Sequence, residues 1–244
     1  MHGLNGEIKS FRNLEDLSAA AADRIVEIIH EVVSKEGVFS LALSGGSTPK
    51  TLYKFLSTTR RDVIPWDRIH IFFGDERYIS QDDLQSNFRM ARETLLEAVP
   101  IPRENVHPIR TNFPDAEKAA VAYEREVREF FPGTENTFTL ALLGMGKEGH
   151  TASLFPYSPA LDETDRWVVP VSTTALPPTR ITLTYPPLNS SRNIFFLVAG
   201  AGKREALRAA VTPSTDHHLC PSAGIKPSHG DLIWWVDAAA WPSS

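Results

Sequence analysis

A histidine behind a glycine-rich turn is the residue of this 244-residue chain best suited to acid–base chemistry. The apolar segment 138–143 predicts a buried strand, and the turn after it contains Gly144, Gly146 and Gly149 before His150. Glycine tolerates positive φ and lets the backbone approach a ligand closely, so we expect these glycines to serve that purpose. Because histidine titrates near neutrality, His150 is the candidate general base. A single histidine is more often structural or merely exposed, and only the glycine setting favours function here.

The same turn matches G-x-G-x-x-G, the pattern of dinucleotide-binding loops. That pattern requires a strand before it and a long helix after it. The strand is predicted, but Pro156 and Pro159 would interrupt the helix within two turns. We therefore expect no nucleotide site, and His150 becomes the main feature of the turn.

A second turn combines the glycine and hydroxyl residues of an anion site. The strand predicted over 38–43 is followed by Gly45, Gly46, Ser47 and Thr48. We expect a hydroxyl N-cap here and a helix from Pro49 to about Leu56. A helix N-terminus offers unpaired N–H groups and a partial positive charge, so the turn resembles a phosphate cradle, although it is not a Walker A loop. A capped turn that binds nothing is the alternative.

Apolar periodicity and turn residues predict strands that alternate with helices. Strands are expected over 38–43, 68–73, 138–143, 167–171, 180–184, 193–198 and 232–236, and helices after the caps Asn13, Ser86 and Asp115. Such alternation is typical of an α/β fold. We predict a Rossmann-like single domain over residues 1–244, with helices on both faces of a mostly parallel sheet.

Four of the predicted strands end in polar or glycine-rich loops, at 44–48, 74–77, 144–150 and 200–203. In open α/β sheets the carboxyl ends of the strands meet at one edge, where ligands bind. The side chains expected there are Asp75, Arg77, His150 and Lys203, with Arg180 nearby at the start of its strand.

The cations in this set suit a phosphorylated substrate, and a carboxylate from Asp75 or Glu148 could orient the histidine. Plainer explanations exist for each residue. Arg77 and Lys203 would serve equally as solvated surface charges, and Asp75 with Arg77 as a salt-bridged turn.

Composition limits the class of binding partner and the cellular compartment that we expect for this protein. A net charge of -5 argues against a nucleic-acid-binding surface and favours small molecules. Cys220 is the only cysteine, so no intramolecular disulfide and no multi-cysteine zinc site can form, which fits a reducing cytoplasm. Residues 1–10 lack the apolar core of a secretory signal, and no apolar run is long enough to span a bilayer. We expect a soluble cytoplasmic protein.

Two adjacent histidines, His217 and His218, follow Asp216 and invite a metal interpretation. Adjacent histidines in a loop rich in Ser, Thr and Pro lack the i, i+4 spacing of a helical metal pair. We therefore expect no metal site.

Several motifs together resemble the 6-phosphogluconolactonase family, within the glucosamine/galactosamine-6-phosphate isomerase-like superfamily. They are SGGSTP at 44–49, GDER at 74–77 with SN at 86–87, GHTASLFP at 149–156 and PTRIT at 178–182. The resemblance covers nearly the whole chain and ends with Gly202-Lys203 and the segment 235–237. The histidine motif is highly specific, whereas the glycine–serine loop is shared with related deaminases.

This resemblance implies hydrolysis of 6-phospho-D-glucono-1,5-lactone to 6-phospho-D-gluconate in the oxidative pentose phosphate pathway, without a metal or organic cofactor. It implies that His150 deprotonates the attacking water and that Asp75 fixes the local polar network. The 45–48 loop, Arg77, Arg180 and Lys203 would bind the phosphate or stabilise negative charge on the carbonyl oxygen, and which cation does which is left open. The partner is then a sugar-phosphate lactone, and we expect a monomer.

Two positions bear on the choice of activity. The lactonases usually have Asp before the Gly-His pair, where this chain has Glu148, so we expect no essential role for Glu148. The deaminases carry an acidic residue shortly after their histidine, where this chain has Phe155, and that favours the lactonase. An amino-sugar-phosphate deaminase or isomerase and a non-catalytic sugar-phosphate sensor are the alternatives.

Overall fold

The computed structural model describes residues 4–133 and 136–242. Residues 1–3, which belong to the N-terminal segment expected to lack a secretory signal, lie outside the described residues. The strands are β1 (Glu7–Phe11), β2 (Phe39–Leu43), β3 (Ile69–Phe73), β4 (Asp75–Arg77), β5 (Leu140–Gly144), β6 (Val168–Ser172), β7 (Thr179–Leu183), β8 (Asn193–Val198) and β9 (Asp231–Asp237). The α-helices are α1 (Leu14–Glu36), α2 (Ser47–Ser57), α3 (Asn87–Thr94), α4 (Ala116–Phe130), α5 (Tyr185–Asn189) and α6 (Arg204–Ala210).

Six of these strands form the main sheet, in the order β1-β9-β8-β5-β2-β3. Every pairing within this sheet is parallel. The interior strand β2, next to the edge strand β3, is buried at every position, because its apolar sequence FSLAL is covered on both faces. The predicted α/β fold class with a mostly parallel sheet is confirmed.

A second sheet of three antiparallel strands, in the order β4-β7-β6, corrects the expectation of one sheet. The segment 74–77 was predicted as a loop, but its last three residues form strand β4. Only residues 173–178 connect β6 to β7. A parallel return needs a dozen or more residues, so a connection this short forces an antiparallel hairpin.

The helix caps agree with the sequence. The side chains of Asn13, Ser86 and Asp115 each accept a backbone N–H from the first turn of their helix. Each such cap contributes about 1 kcal/mol to stability. Helix α1 ends at Glu36 and is capped by Gly37, whose φ of 80° is left-handed. Within residues 4–133 and 136–242, no helix is long and apolar enough to cross a membrane.

Helix α2 begins differently from the prediction. The expected start at Pro49 behind a hydroxyl cap is wrong, because the helix already begins at Ser47. The residue before it, Gly46, has a φ of 103° and no side chain that could cap the helix. The first N–H groups of α2 therefore have no side-chain acceptor from the cap position, and they can serve an anion.

The edge strand β1 is one that the sequence pattern does not predict. It pairs with β9, and its Phe11 stacks on Trp235 with ring centroids 5.6 Å apart. On the other face of β9, Trp234 stacks on Phe196 at 4.0 Å. Both tryptophans are buried, so the pair secures β9 between its two neighbouring strands.

Candidate active site

A cavity of about 270 Å³ lies where the loops after β2, β5 and β8 meet strands β4 and β7. All the predicted site residues line it: Gly45, Gly46, Ser47, Thr48, Asp75, Arg77, His150, Arg180 and Lys203. The expected convergence of the strand ends is therefore observed. The chemical roles assigned to these residues stay predictions.

His150 is paired with Glu148 beside this cavity. Its Nδ1 lies 2.9 Å from Oε1 of Glu148. With Nδ1–H donating to the carboxylate, Nε2 carries the lone pair, and in the described part of the chain no protein group hydrogen-bonds to it. We expected no essential role for Glu148. Its side chain reaches hydrogen-bond distance of the histidine, and whether it has a role in catalysis stays a prediction.

The charge of this pair is set by its surroundings. Burial acts to raise the pKa of Glu148, but hydrogen bonds from its own N–H and from His150, together with the charge of Lys203, outweigh it, so the pKa lies below its usual range. The carboxylate is therefore ionised at neutral pH. On the other side, the ring of Phe155 packs on the histidine with centroids 4.4 Å apart.

The glycines around His150 serve different purposes, and only one has the positive φ expected of all three. Gly149 has a φ of 85°, whereas Gly144 and Gly146 do not lie in the left-handed region. A Cβ at Gly146 would collide with the imidazole of His150, so glycine makes room for the ring there. Ser222 then fixes the turn, because its N–H and Oγ–H donate to the carbonyl of Gly149 at 2.9 and 2.8 Å.

Two arginines lie side by side on the small sheet. Arg77 of β4 and Arg180 of β7 are direct cross-strand partners. Among the described residues, neither forms a salt bridge within 4.0 Å; Arg180 Nε donates to the Pro177 carbonyl at 3.0 Å, and Arg77 Nη1 to the carbonyl of Gln85 at 2.8 Å. Burial, and then the charge of Arg77, lowers the pKa of Arg180. An anion between the two guanidinium groups would relieve their repulsion.

Asp75 belongs to the polar network that supports Arg77, rather than to the acid–base pair. Its carboxylate accepts from Ser153 Oγ–H at 2.6 Å and from the side-chain amide of Asn87 at 3.0 Å. The amide oxygen of Asn87 in turn accepts from Arg77. A Cβ at Gly45 would collide with Asn87, so this glycine allows the α2 turn to approach the network.

Asn87 and Ser153 are functional candidates that residue-by-residue reasoning missed. Both lie within motifs that carry the family resemblance, but neither has a local signal beyond helix capping or small size. Their placement depends on the pairing of distant segments, since Asp75 and Ser153 are 78 positions apart.

Lys203 lies at the end of a 3₁₀ turn, Ala201–Lys203, that follows β8. Burial lowers its pKa, and the negative charge of Glu148 opposes that change. The turn is anchored because Gly200 donates its N–H to the carboxylate of Asp237 at 3.0 Å. Because it interacts with Glu148, Lys203 is the cation on the histidine side of the cavity, whereas the two arginines lie on the small sheet.

This fold and site define an α/β enzyme with a histidine–carboxylate pair and a cationic cavity for an anionic substrate. Residues 12–234 match the family described as glucosamine-6-phosphate isomerases/6-phosphogluconolactonase, and the chain belongs to that family.

Individual relatives agree over almost the full length. A 6-phosphogluconolactonase from Nostoc sp. is 43% identical over 227 residues, which cover 92% of this chain and 92% of the relative. One from Mycobacterium tuberculosis is 39% identical over 250 residues, covering 98% and 100% of the two chains. Among solved structures, 6-phosphogluconolactonase from Trypanosoma cruzi superposes with a TM-score of 0.85 at 30% identity and covers 98% of each chain.

Proposed function

We propose that this chain hydrolyses 6-phospho-D-glucono-1,5-lactone to 6-phospho-D-gluconate in the oxidative pentose phosphate pathway. The chain is thus a carboxylic ester hydrolase of carbohydrate metabolism, in keeping with the name its relatives share. One observation carries the proposal. The same cavity is lined by a histidine whose Nε2 can accept a proton and by two adjacent arginines that lack a salt-bridge partner in the described ranges.

The reaction begins with water at Nε2 of His150. The imidazole accepts a proton from the water while the water oxygen attacks C1 of the lactone. The carbonyl group becomes a tetrahedral oxyanion. Glu148 stabilises the imidazolium that forms. The C1–O5 bond then breaks, and the imidazolium returns its proton to the departing ring oxygen, which opens the lactone to the hydroxy acid. His150 is then neutral again, because it has given its proton to the ring oxygen. The carboxylic acid of the product loses its own proton to solvent.

The cations divide into two groups in this proposal. Arg77 and Arg180 are adjacent and form no salt bridge within the described residues, and they bind the dianionic phosphate together with the N–H groups at the start of α2. Lys203 lies on the histidine side and stabilises the oxyanion. Asp75 positions Asn87 and, through it, Arg77.

The rate of lactone loss tests this assignment directly. Purified wild-type protein and His150→Ala are compared after subtraction of the spontaneous hydrolysis rate. We expect the variant to lose about 10²–10⁴-fold in kcat, the usual contribution of a positioned base. Equal rates for the two proteins would remove His150 as the base.

Phe155 also separates the lactonase from the deaminase or isomerase alternative. Its ring packs on His150 at the place where the deaminases carry an acidic side chain, so the second carboxylate for ring opening is missing there. Glucosamine 6-phosphate should release no ammonia with this protein. A non-catalytic sensor would bind the product in a calorimeter without accelerating lactone hydrolysis.

We further propose that residues 1–244 act as one lactonase domain, as a cytoplasmic monomer that does not bind nucleic acid. The net charge of -5 and the single cysteine support this description. Light scattering after size-exclusion chromatography should give the mass of one 27.1 kDa chain. A dimer mass at micromolar concentration would overturn the monomer.

A further inference from the structure

A cluster of two histidines and a carboxylate, with Asp216 beside it, lies outside the cavity, between the 3₁₀ turn Pro159–Asp162 and the loop after α6. Ligand atoms of Asp162, His217 and His218 lie within 4.8 Å of one another. The lactonase reaction uses none of them. Sequence spacing could not reveal the third member, because Asp162 is 56 positions away from His218.

We propose that Asp162, His217 and His218 bind a divalent transition-metal ion of the zinc type. Two imidazoles and one carboxylate are the donor set that such ions prefer. Calcium and magnesium take oxygen ligands almost exclusively, so the two histidines disfavour them.

The hydrogen bonds of His218 prepare it as a ligand. Its Nδ1 lies 3.1 Å from Oδ1 of Asp216, which also accepts the backbone N–H of His218 at 2.9 Å. A carboxylate on one ring nitrogen fixes the tautomer and leaves the other nitrogen for a metal, which is the usual outer-shell arrangement of metal-binding histidines. Asp216 therefore holds the ring and directs Nε2 towards Asp162.

Nε2 of His218 and Oδ1 of Asp162 face each other and require a proton or a metal ion between them. With Nδ1–H committed to Asp216, Nε2 of His218 and Oδ1 of Asp162 are both acceptors, yet they lie only 2.9 Å apart. A proton on Nε2 or a metal ion would satisfy both. For metal bonds of about 2.0–2.2 Å, this separation corresponds to an angle of about 90° at the ion, which only a small opening converts to a tetrahedral one.

The third ligand and access from solvent complete the site. The ring of His217 lies 4.2 Å from that of His218, centroid to centroid, at an angle of 38°. The side chain of Asp162 is 67% exposed and that of His218 is 37% exposed, so an ion can enter and keep water in its remaining position.

An ion held by these ligands would connect the segment that ends at Asp162 with the segment that contains His217 and His218, and both segments continue to residues that support His150. On one side, Tyr157 donates its N–H to the carbonyl of His218 at 3.0 Å, close to Phe155 on the catalytic ring. On the other side, Ser222 holds the carbonyl of Gly149. The ion would therefore stabilise the folded protein without taking part in the chemistry.

Calorimetric titration of EDTA-treated, dialysed protein with ZnCl₂ at neutral pH tests the proposal. Wild-type protein should bind one equivalent through this cluster, and His217→Ala and His218→Ala should each lose it. Asp216→Ala should weaken binding by about 10- to 100-fold, the usual effect of removing an outer-shell partner. His30→Ala and His229→Ala remove exposed histidines elsewhere and should bind zinc as the wild type does.

A second readout is the zinc-dependent rise in melting temperature, which should vanish in Asp162→Asn, a variant that keeps the size of the side chain. Circular dichroism confirms that each variant is folded. The proposal is overturned if wild-type protein takes up no zinc, as expected for a cluster held only by a proton on His218. It is also overturned if the His217 and His218 variants retain the wild-type stoichiometry and affinity.

Discussion

At the scale of single residues, the pairing of Glu148 with His150 determines how well the histidine can act as a base. An ionic hydrogen bond of this kind contributes about 1.5–3 kcal/mol. Glu148→Gln should therefore lower kcat by about 10- to 100-fold. KM should change little, because the carboxylate contacts the base and not the substrate.

Steady-state kinetics on the lactone check this prediction, with Glu148→Asp as the matched control. Aspartate keeps the charge that the lactonases usually have at this position, so it should retain more activity than glutamine. If Glu148→Gln and wild type shared the same kcat, the carboxylate would have no part in catalysis.

The arginine pair and Lys203 should differ in the kinetic constant that they control. Arg180→Met removes one half of the phosphate site, which serves ground state and transition state alike, so KM should rise by about 10- to 100-fold with kcat nearly unchanged. Lys203→Met removes an interaction that strengthens only as the oxyanion forms, so kcat should fall.

Both variants are compared with Arg68→Met, which removes an exposed arginine away from the cavity. The reverse pattern, a kcat loss in Arg180→Met and a KM rise in Lys203→Met, would exchange the two assignments. Arg180→Lys should behave like the methionine variant in direction, because lysine cannot reproduce the planar guanidinium fork.

At the scale of secondary structure, Glu76 joins strand β4 to helix α3. Its carboxylate is 1% exposed and accepts the backbone N–H groups of Asn87 and Phe88, at the start of α3, at 2.8 Å each. Burial raises the pKa of Glu76, and these backbone donors oppose that change. The residue thus closes the N-terminus of the helix that carries Asn87 into the site.

Glu76→Gln should destabilise the protein by about 1.5–3 kcal/mol, because the uncharged amide has a single acceptor oxygen and one of the two buried N–H groups would lose its acceptor. Urea denaturation measures the difference. Glu93→Gln, on the exposed side of the same helix, is the control and should lie within about 0.5 kcal/mol of wild type. Coincident transitions for all three proteins would contradict the proposed role of Glu76.

Local signals in the sequence account for the parts of this molecule that could be predicted. Apolar runs located seven of the nine strands in the described ranges to within two residues, and glycines and hydroxyls marked the turn at 45–48. Features set by distant pairing could not be predicted in the same way. The register that places Arg77 opposite Arg180 depends on the small sheet, and the early start of α2 depends on the left-handed backbone of Gly46.

The site shows the same division. His150 is recognisable because its glycines are adjacent in sequence, whereas the reach of Glu148 depends on side-chain geometry within the folded turn. Asp162 could not be connected with His217 and His218 by any spacing rule, since the contact closes a long loop.

At the scale of the whole molecule, a histidine relay joins β3 to α4 and links stability to pH. Nδ1 of His107 lies 2.8 Å from Glu126 of α4, and its Nε2 lies 3.0 Å from Nδ1 of His70 on β3. The ring of His70 also packs on Phe130 at 4.8 Å. Burial, and then the charge of His107, lowers the pKa of His70.

The sign of the effect follows from which state binds the proton more readily. The unfolded chain protonates His70 near its usual pKa of about 6.5, whereas the folded protein resists protonation until lower pH. The stabilisation is fully present above pH 6.5 and is lost as the pH falls towards the folded pKa. Melting temperatures should therefore drop between about pH 7 and pH 5, and His70→Asn, which keeps a donor but does not titrate, should flatten that drop.

His30→Asn, at an exposed position on α1, is the control and should follow the wild-type curve. Parallel curves for wild type and His70→Asn would show that the relay does not couple stability to pH.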